Sequence, residues 1–134
     1  MTEMALSRTI LASLFASTLL SAPVAAEMIG VRPGHYQCWG EVYLQGAPGS
    51  GSLLGTYSDS YDAALGAMHL SRDAEGRWSG TWAEAEIGRG GRIFDVVETE
   101  AGFSASYDTT APGTRRNGST LGASSGPFSC RWLD

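Results

Sequence analysis

The chain contains no lysine, so every cation among its 134 residues is an arginine. That absence excludes Schiff-base chemistry and lysine-activated serine nucleophiles. The arginines are not clustered and the formal net charge is −5, which argues against nucleic-acid or anionic-membrane partners, because both need grouped positive charge. Histidine is limited to His35 and His69, and cysteine to Cys38 and Cys130. Beyond Glu27 no apolar run is long enough to span a bilayer, and no segment keeps a helical period.

What is present starts with an N-terminal export pattern. Arg8 supplies a positive charge, Ile10 to Leu20 is apolar, Ser21-Ala22-Pro23 breaks the run, and Val24-Ala25-Ala26 offers small residues for cleavage. Residues 1–26 read as a secretory signal peptide. Residues 27–134 then form one mature domain of 108 residues, expected in the periplasm or secreted. Folding at that size buries roughly 65% of the unfolded chain's surface, enough for one core.

In an exported chain two cysteines read most simply as one disulfide. Two isolated cysteines make a poor zinc site. A Cys38–Cys130 bridge would close a loop of roughly 90 residues and constrain the unfolded state by about 4–5 kcal/mol.

Glycine is abundant and alternation recurs, which reads as strand. His35 to Leu44 alternates throughout, with Tyr36, Cys38, Val42 and Leu44 on one face and His35, Trp39 and Tyr43 on the other. Gln45 to Ser52 is a loop by composition, and Leu53 to Ser58 a short strand. Leu65 to Ser71 sets Met68 and Leu70 opposite His69. Arg72 to Gly76 reads as a hairpin connection, with Gly76 free to take positive φ. Arg77 to Ala83 returns with Trp78, Gly80 and Trp82 on one face. Glu84 to Gly91 reads as a loop or fraying strand end. Arg92 to Glu98 is apolar on both faces and is expected to be a doubly covered central strand. Thr99 to Gly102 is a second hairpin turn, and Phe103, Ala105 and Tyr107 are the apolar face of the next strand. Thr109 to Asn117 is a polar loop, Gly118 to Ala123 is weakly strand-like, and Pro127 to Leu133 closes the chain with Phe128, Cys130 and Trp132 on one face.

Seven or eight short strands at such spacing predict an all-β domain, a small antiparallel barrel of calycin-like type or a sandwich. A disulfide needs its Cα atoms within about 7 Å, so the first and last strands must lie close. The barrel is preferred because closure removes strand edges.

Gly76-Arg77-Trp78-Ser79-Gly80-Thr81-Trp82, with its Gly-Thr-Trp element and alternating aromatics, resembles strands of the avidin and lipocalin barrels. The likeness is architectural and spans these seven residues. It implies that aromatic residues line a cavity for a small apolar or amphipathic ligand. Read from the residues alone, Trp78 and Trp82 simply fill the core, since tryptophan is normally well buried. Trp39 and Tyr43 are expected on an outward face beside Gln37 and Glu41, as a platform for a sugar or a peptide. Arg115 and Arg116 place two guanidinium forks in a loop, suited to carboxylate or phosphate. These six residues are the candidate ligand-binding set.

Asn117-Gly118-Ser119 matches a glycosylation sequon. Asp59-Ser60-Tyr61-Asp62 reads as a turn, since it lacks the further oxygens that calcium needs. No catalytic residue, metal ligand or cofactor site is assigned. Candidate carboxylates for glycosidase chemistry (Glu84, Glu86, Asp95, Glu98, Glu100) are expected on solvated strand faces. The function expected is a non-catalytic binding module for a small molecule, sugar or peptide, with no set oligomeric state. Two alternatives stand beside it. One is a protein-interaction module, such as a periplasmic protease inhibitor or envelope accessory protein, using residues 47–52 and 109–117. The other is a small hydrolase.

Overall fold

The structure is a computed structural model, and it describes residues 28–58 and 63–134. The signal peptide and the Asp59 to Asp62 turn expected from the sequence lie outside the described residues.

Eight strands follow one another: β1 (Gly34–Gln37), β2 (Glu41–Gln45), β3 (Ser52–Ser58), β4 (Leu65–Arg72), β5 (Trp78–Glu84), β6 (Arg89–Thr99), β7 (Gly102–Pro112) and β8 (Gly126–Trp132). Each pairs antiparallel with the next, and β1 pairs with β8 through Tyr36–Trp132 and Gln37–Arg131, which closes the barrel. The barrel expectation holds and the sandwich does not. A single 3-10 turn, Ala85–Ile87, joins β5 to β6. No helix among the described residues is long and apolar enough to cross a membrane.

Period-two patterning drives the fold. In β3 and β4 exposed and buried residues alternate, with Leu53 and Tyr57, then Met68 and Leu70, pointing inward. Gly76 takes φ of +83° in the β4–β5 hairpin, a conformation that costs glycine nothing. At Gly80 a Cβ would overlap the backbone carbonyl of His69 on β4. The glycine between Trp78 and Trp82 is thus where two strands approach too closely for any side chain.

Cys38 and Cys130 are bonded, with Cα atoms 4.2 Å apart and a sequence separation of 92. The bridge fastens the β1–β2 connection to β8, where the barrel closes.

Four expectations are corrected. His35 to Leu44 is two strands, because the Cys38 amide donates to the Gly40 carbonyl at 2.9 Å and turns the chain. The alternation survives because Tyr36, Val42 and Leu44 all face inward from either side of the turn. Arg92 to Glu98 is not doubly covered. The register of β6 against β7 shifts between Phe94 and Val97, and Asp95 adopts φ of +51°. This bulge resets which face points inward, so Ile93 and Val96 pack against the core while Phe94 and Val97 lie in solvent. The connection expected over Glu84 to Gly91 is shorter: β5 runs through Glu84, the 3-10 turn takes Ala85–Ile87, and β6 begins at Arg89. Residues 118–123 form no strand and hold only an isolated bridge between Thr114 and Thr120, while β7 extends to Pro112.

The barrel has two unlike ends. One is formed by the β2–β3, β4–β5 and β6–β7 connections together with residues 28–33 and 133–134. Here Leu44, Leu53, Leu70, Trp78 and Phe103 pack together. Tyr36 meets Phe103 and Trp132 edge-on, at 5.4 and 5.3 Å between centroids. Its hydroxyl donates to the Arg32 carbonyl at 2.7 Å, and burial pushes its phenol pKa up. Arg32 lies 4.0 Å over the Trp132 ring. This end is sealed. At the other end the 3-10 turn and the β7–β8 loop pack through a small second core of Ala64, Ile87 and Leu121. The Thr114 amide donates to the Ile87 carbonyl at 2.8 Å, tying the two loops together.

Candidate binding cavity at the open end

The open end holds a cavity of about 330 Å³. Interiors of eight-stranded barrels are wide enough to be filled by side chains or to hold one small ligand. Here they do both, one at each end.

The cavity wall is a chain of aromatic rings. Trp39, on the β1–β2 turn, meets Tyr57 of β3 at 5.4 Å and Phe128 of β8 at 5.1 Å, nearly perpendicular to both. Phe128 lies 6.3 Å from Tyr107 of β7, and Tyr107 lies 6.1 Å from Trp82 of β5 at an interplanar angle of 80°. Edge-to-face pairs at these separations are favourable beyond the area they bury. The Trp82 indole N–H donates to the Asp108 carbonyl at 2.9 Å, which fixes the ring's orientation.

Two buried charges complete the circuit. Tyr57 donates to Glu84 at 2.8 Å, Glu84 lies 3.6 Å from Arg89, and the Arg89 guanidinium sits 5.4 Å from the centre of the Trp82 ring. Glu84 is 2% exposed and Arg89 7%. Arg89 also donates to the Gly122 carbonyl at 3.2 Å and to the Ser124 hydroxyl at 3.0 Å, so it ties β6 to the β7–β8 loop. Buried charges of this kind persist because they are paired and hydrogen-bonded.

The six sequence-derived candidates separate into two groups. Trp39 and Trp82 meet in the cavity wall. Trp39 arrives there from a turn, 52% exposed, and not from a strand face. Trp78 packs in the core at the sealed end beneath Arg72. Tyr43 lies on the outer wall, stacked on His35 at 4.2 Å, so it forms no platform with Trp39. Arg115 and Arg116 lie on the β7–β8 loop outside the cavity, and Arg116 pairs with Glu86 at 2.7 Å.

Sequence reasoning missed Tyr57, Tyr107 and Phe128 as lining residues, and it placed Glu84 in solvent and Arg89 in a loop. The signal for Glu84 was present: Trp78, Gly80 and Trp82 share a phase, and two residues further falls Glu84. Glu84 is the correction among the expected solvated carboxylates, because that phase carries it inward.

Histidine chemistry does not reach the cavity. His69 Nε2 lies 3.0 Å from the Ser52 hydroxyl, but both are exposed on the outer wall. His35 lies within 3.6 Å of Glu41 and Asp134 carboxylates, away from the cavity lining. The sequon residue Asn117 caps its own turn, accepting from the Ser119 amide at 3.0 Å.

No protein-family model matches the chain, and no curated protein or solved structure matches it. The geometry of the barrel therefore carries the functional argument alone.

Proposed function

We propose that the protein is a non-catalytic, exported binding module that holds a small amphipathic molecule in the open end of its barrel. The observation that supports this most is the cavity of about 330 Å³, lined by five aromatic rings and a buried Glu84–Arg89 pair. A concave site that is mostly apolar, with a few converging polar groups, is the usual form of a small-molecule pocket. A fold built only for stability would fill that end as it fills the other.

Mass spectrometry of the protein purified from the cells that make it tests the proposal, with native and denatured spectra recorded side by side. The expected result is additional mass in the native spectrum only, lost in Trp39→Ala without a change in melting temperature. A bare chain in both spectra, with no binding from a small-molecule extract of those cells, overturns it.

A further inference from the structure

The shape and charge of the cavity wall point to a ligand class, an inference that rests on the binding function proposed above. The touching ring pairs of the wall cross at 60° to 85°. None of these touching pairs is parallel. Crossed rings turn their electron-rich faces in several directions around one space. Rounded cations suit such an arrangement, because the ring quadrupole attracts positive charge over each face.

The charge of the wall does not oppose a cation, because Glu84 and Arg89 balance each other. Glu84 brings a carboxylate to the wall, at the Tyr57 end of the ring chain. The Arg89 guanidinium faces Glu84 and Trp82 and donates to Gly122 and Ser124, so its charge and donors are committed to the barrel. The chain's net charge of −5 favours the approach of cations over anions. A wholly apolar ligand fits less well, since it would lie against two buried charges and offer them nothing.

We propose that the cavity binds a small organic cation of the alkylammonium class, its charge held among Trp39, Tyr57, Trp82, Tyr107 and Phe128 beside the Glu84 carboxylate.

Calorimetric titration of the disulfide-bonded protein with three probes of one shape tests this: choline, its uncharged carbon isostere dimethylbutanol, and the anionic dimethylbutyrate. Choline is expected to bind about tenfold or more tighter than the neutral isostere, and the anion weakest, as a desolvated cation–π site requires. Trp39→Leu, which keeps apolar bulk at an exposed turn, should weaken choline severalfold and leave dimethylbutanol nearly unchanged. Equal binding of choline and dimethylbutanol overturns the cation assignment and leaves the binding function standing. Preference for dimethylbutyrate overturns it in the same way. Failure of all three probes also overturns the assignment. The binding function itself falls only if the protein from its own source carries no ligand as well.

Discussion

The two ends of this barrel are built from the same residue types and reach opposite results. At the sealed end Tyr36, Phe103, Trp78 and Trp132 fill the interior, and Arg32 and Arg72 lie over the rings from outside. At the open end five further rings line a space and leave it empty of side chains, and the charged pair Glu84–Arg89 is inside the wall. Aromatic content is thus no guide to which end packs. What differs is the polarity of the inward residues between the rings and the position of charge. Leu44, Leu53 and Leu70 fill the gaps at one end, whereas the other end has Glu84, Arg89 and Ser124.

If that contrast is correct, substitutions should separate stability from binding by position. The largest loss is expected at the sealed end. Phe103→Ala removes a side chain that is 1% exposed, and should cost about 3–5 kcal/mol in denaturant unfolding. A loss below about 1 kcal/mol there would show that the sealed end is not the stability core.

Next is the buried pair. Glu84→Leu leaves Arg89 buried without its carboxylate and should cost about 3–5 kcal/mol. The double substitution Glu84→Leu with Arg89→Met should recover much of that loss, because removing both charges also removes their desolvation cost. If the pair serves the ligand, the stable double variant should bind worse than wild type, and unchanged binding would remove Glu84 from the site.

Cys38→Ser should lower stability by about 2–5 kcal/mol, as expected for a bridge closing so long a loop. It should also weaken ligand binding, because the same turn carries Trp39. An unchanged melting temperature would mean that the bridge is idle.

Trp39→Ala should move stability by less than about 1 kcal/mol, since half of the ring is in solvent. Its effect should appear in affinity.

The smallest effect concerns acid. Hydrogen bonding from the Arg92 guanidinium, aided by the Arg92 amide, holds the Asp108 carboxyl below its ordinary pKa of 3.8. A carboxyl depressed in the folded state contributes stability that is present above 3.8 and is lost as pH falls through the lower folded value. Melting temperature against pH should therefore fall less steeply below that point in Asp108→Asn. An identical acid limb in the variant would show that the Arg92 contact adds no stability.

Much of the barrel was legible because strand alternation is local and the cysteine pair adds one long-range constraint. Met68, Leu70, Phe103 and Ala105 fell on the expected face, and the two cysteines required the first and last strands to meet. Two failures come from backbone geometry that the side-chain pattern does not report. The tight turn at Cys38 to Gly40 preserved the alternation it interrupted, so two strands read as one. The bulge at Asp95 placed Phe94 and Val97 outward, where a regular strand would have buried one of them.

The site was half legible. Trp39 and Trp82 were among the candidates, but Tyr57, Tyr107 and Phe128 reach them from strands far apart in the chain, through barrel closure alone. Arg89 was hidden because a glycine-rich stretch reads as loop, and Arg115 and Arg116 drew attention only as an adjacent pair. Composition shows that guanidinium groups are present; it does not show which one the barrel turns inward.

The measurement that tests the contrast most directly is the response of the four indole N–H resonances to the small-molecule extract of the cells that make the protein. Trp39 and Trp82 line the cavity, while Trp78 and Trp132 belong to the sealed end. The account predicts that the Trp39 and Trp82 signals move while those of Trp78 and Trp132 stay in place. Movement confined to Trp78 and Trp132, or no movement at any of the four, would contradict it.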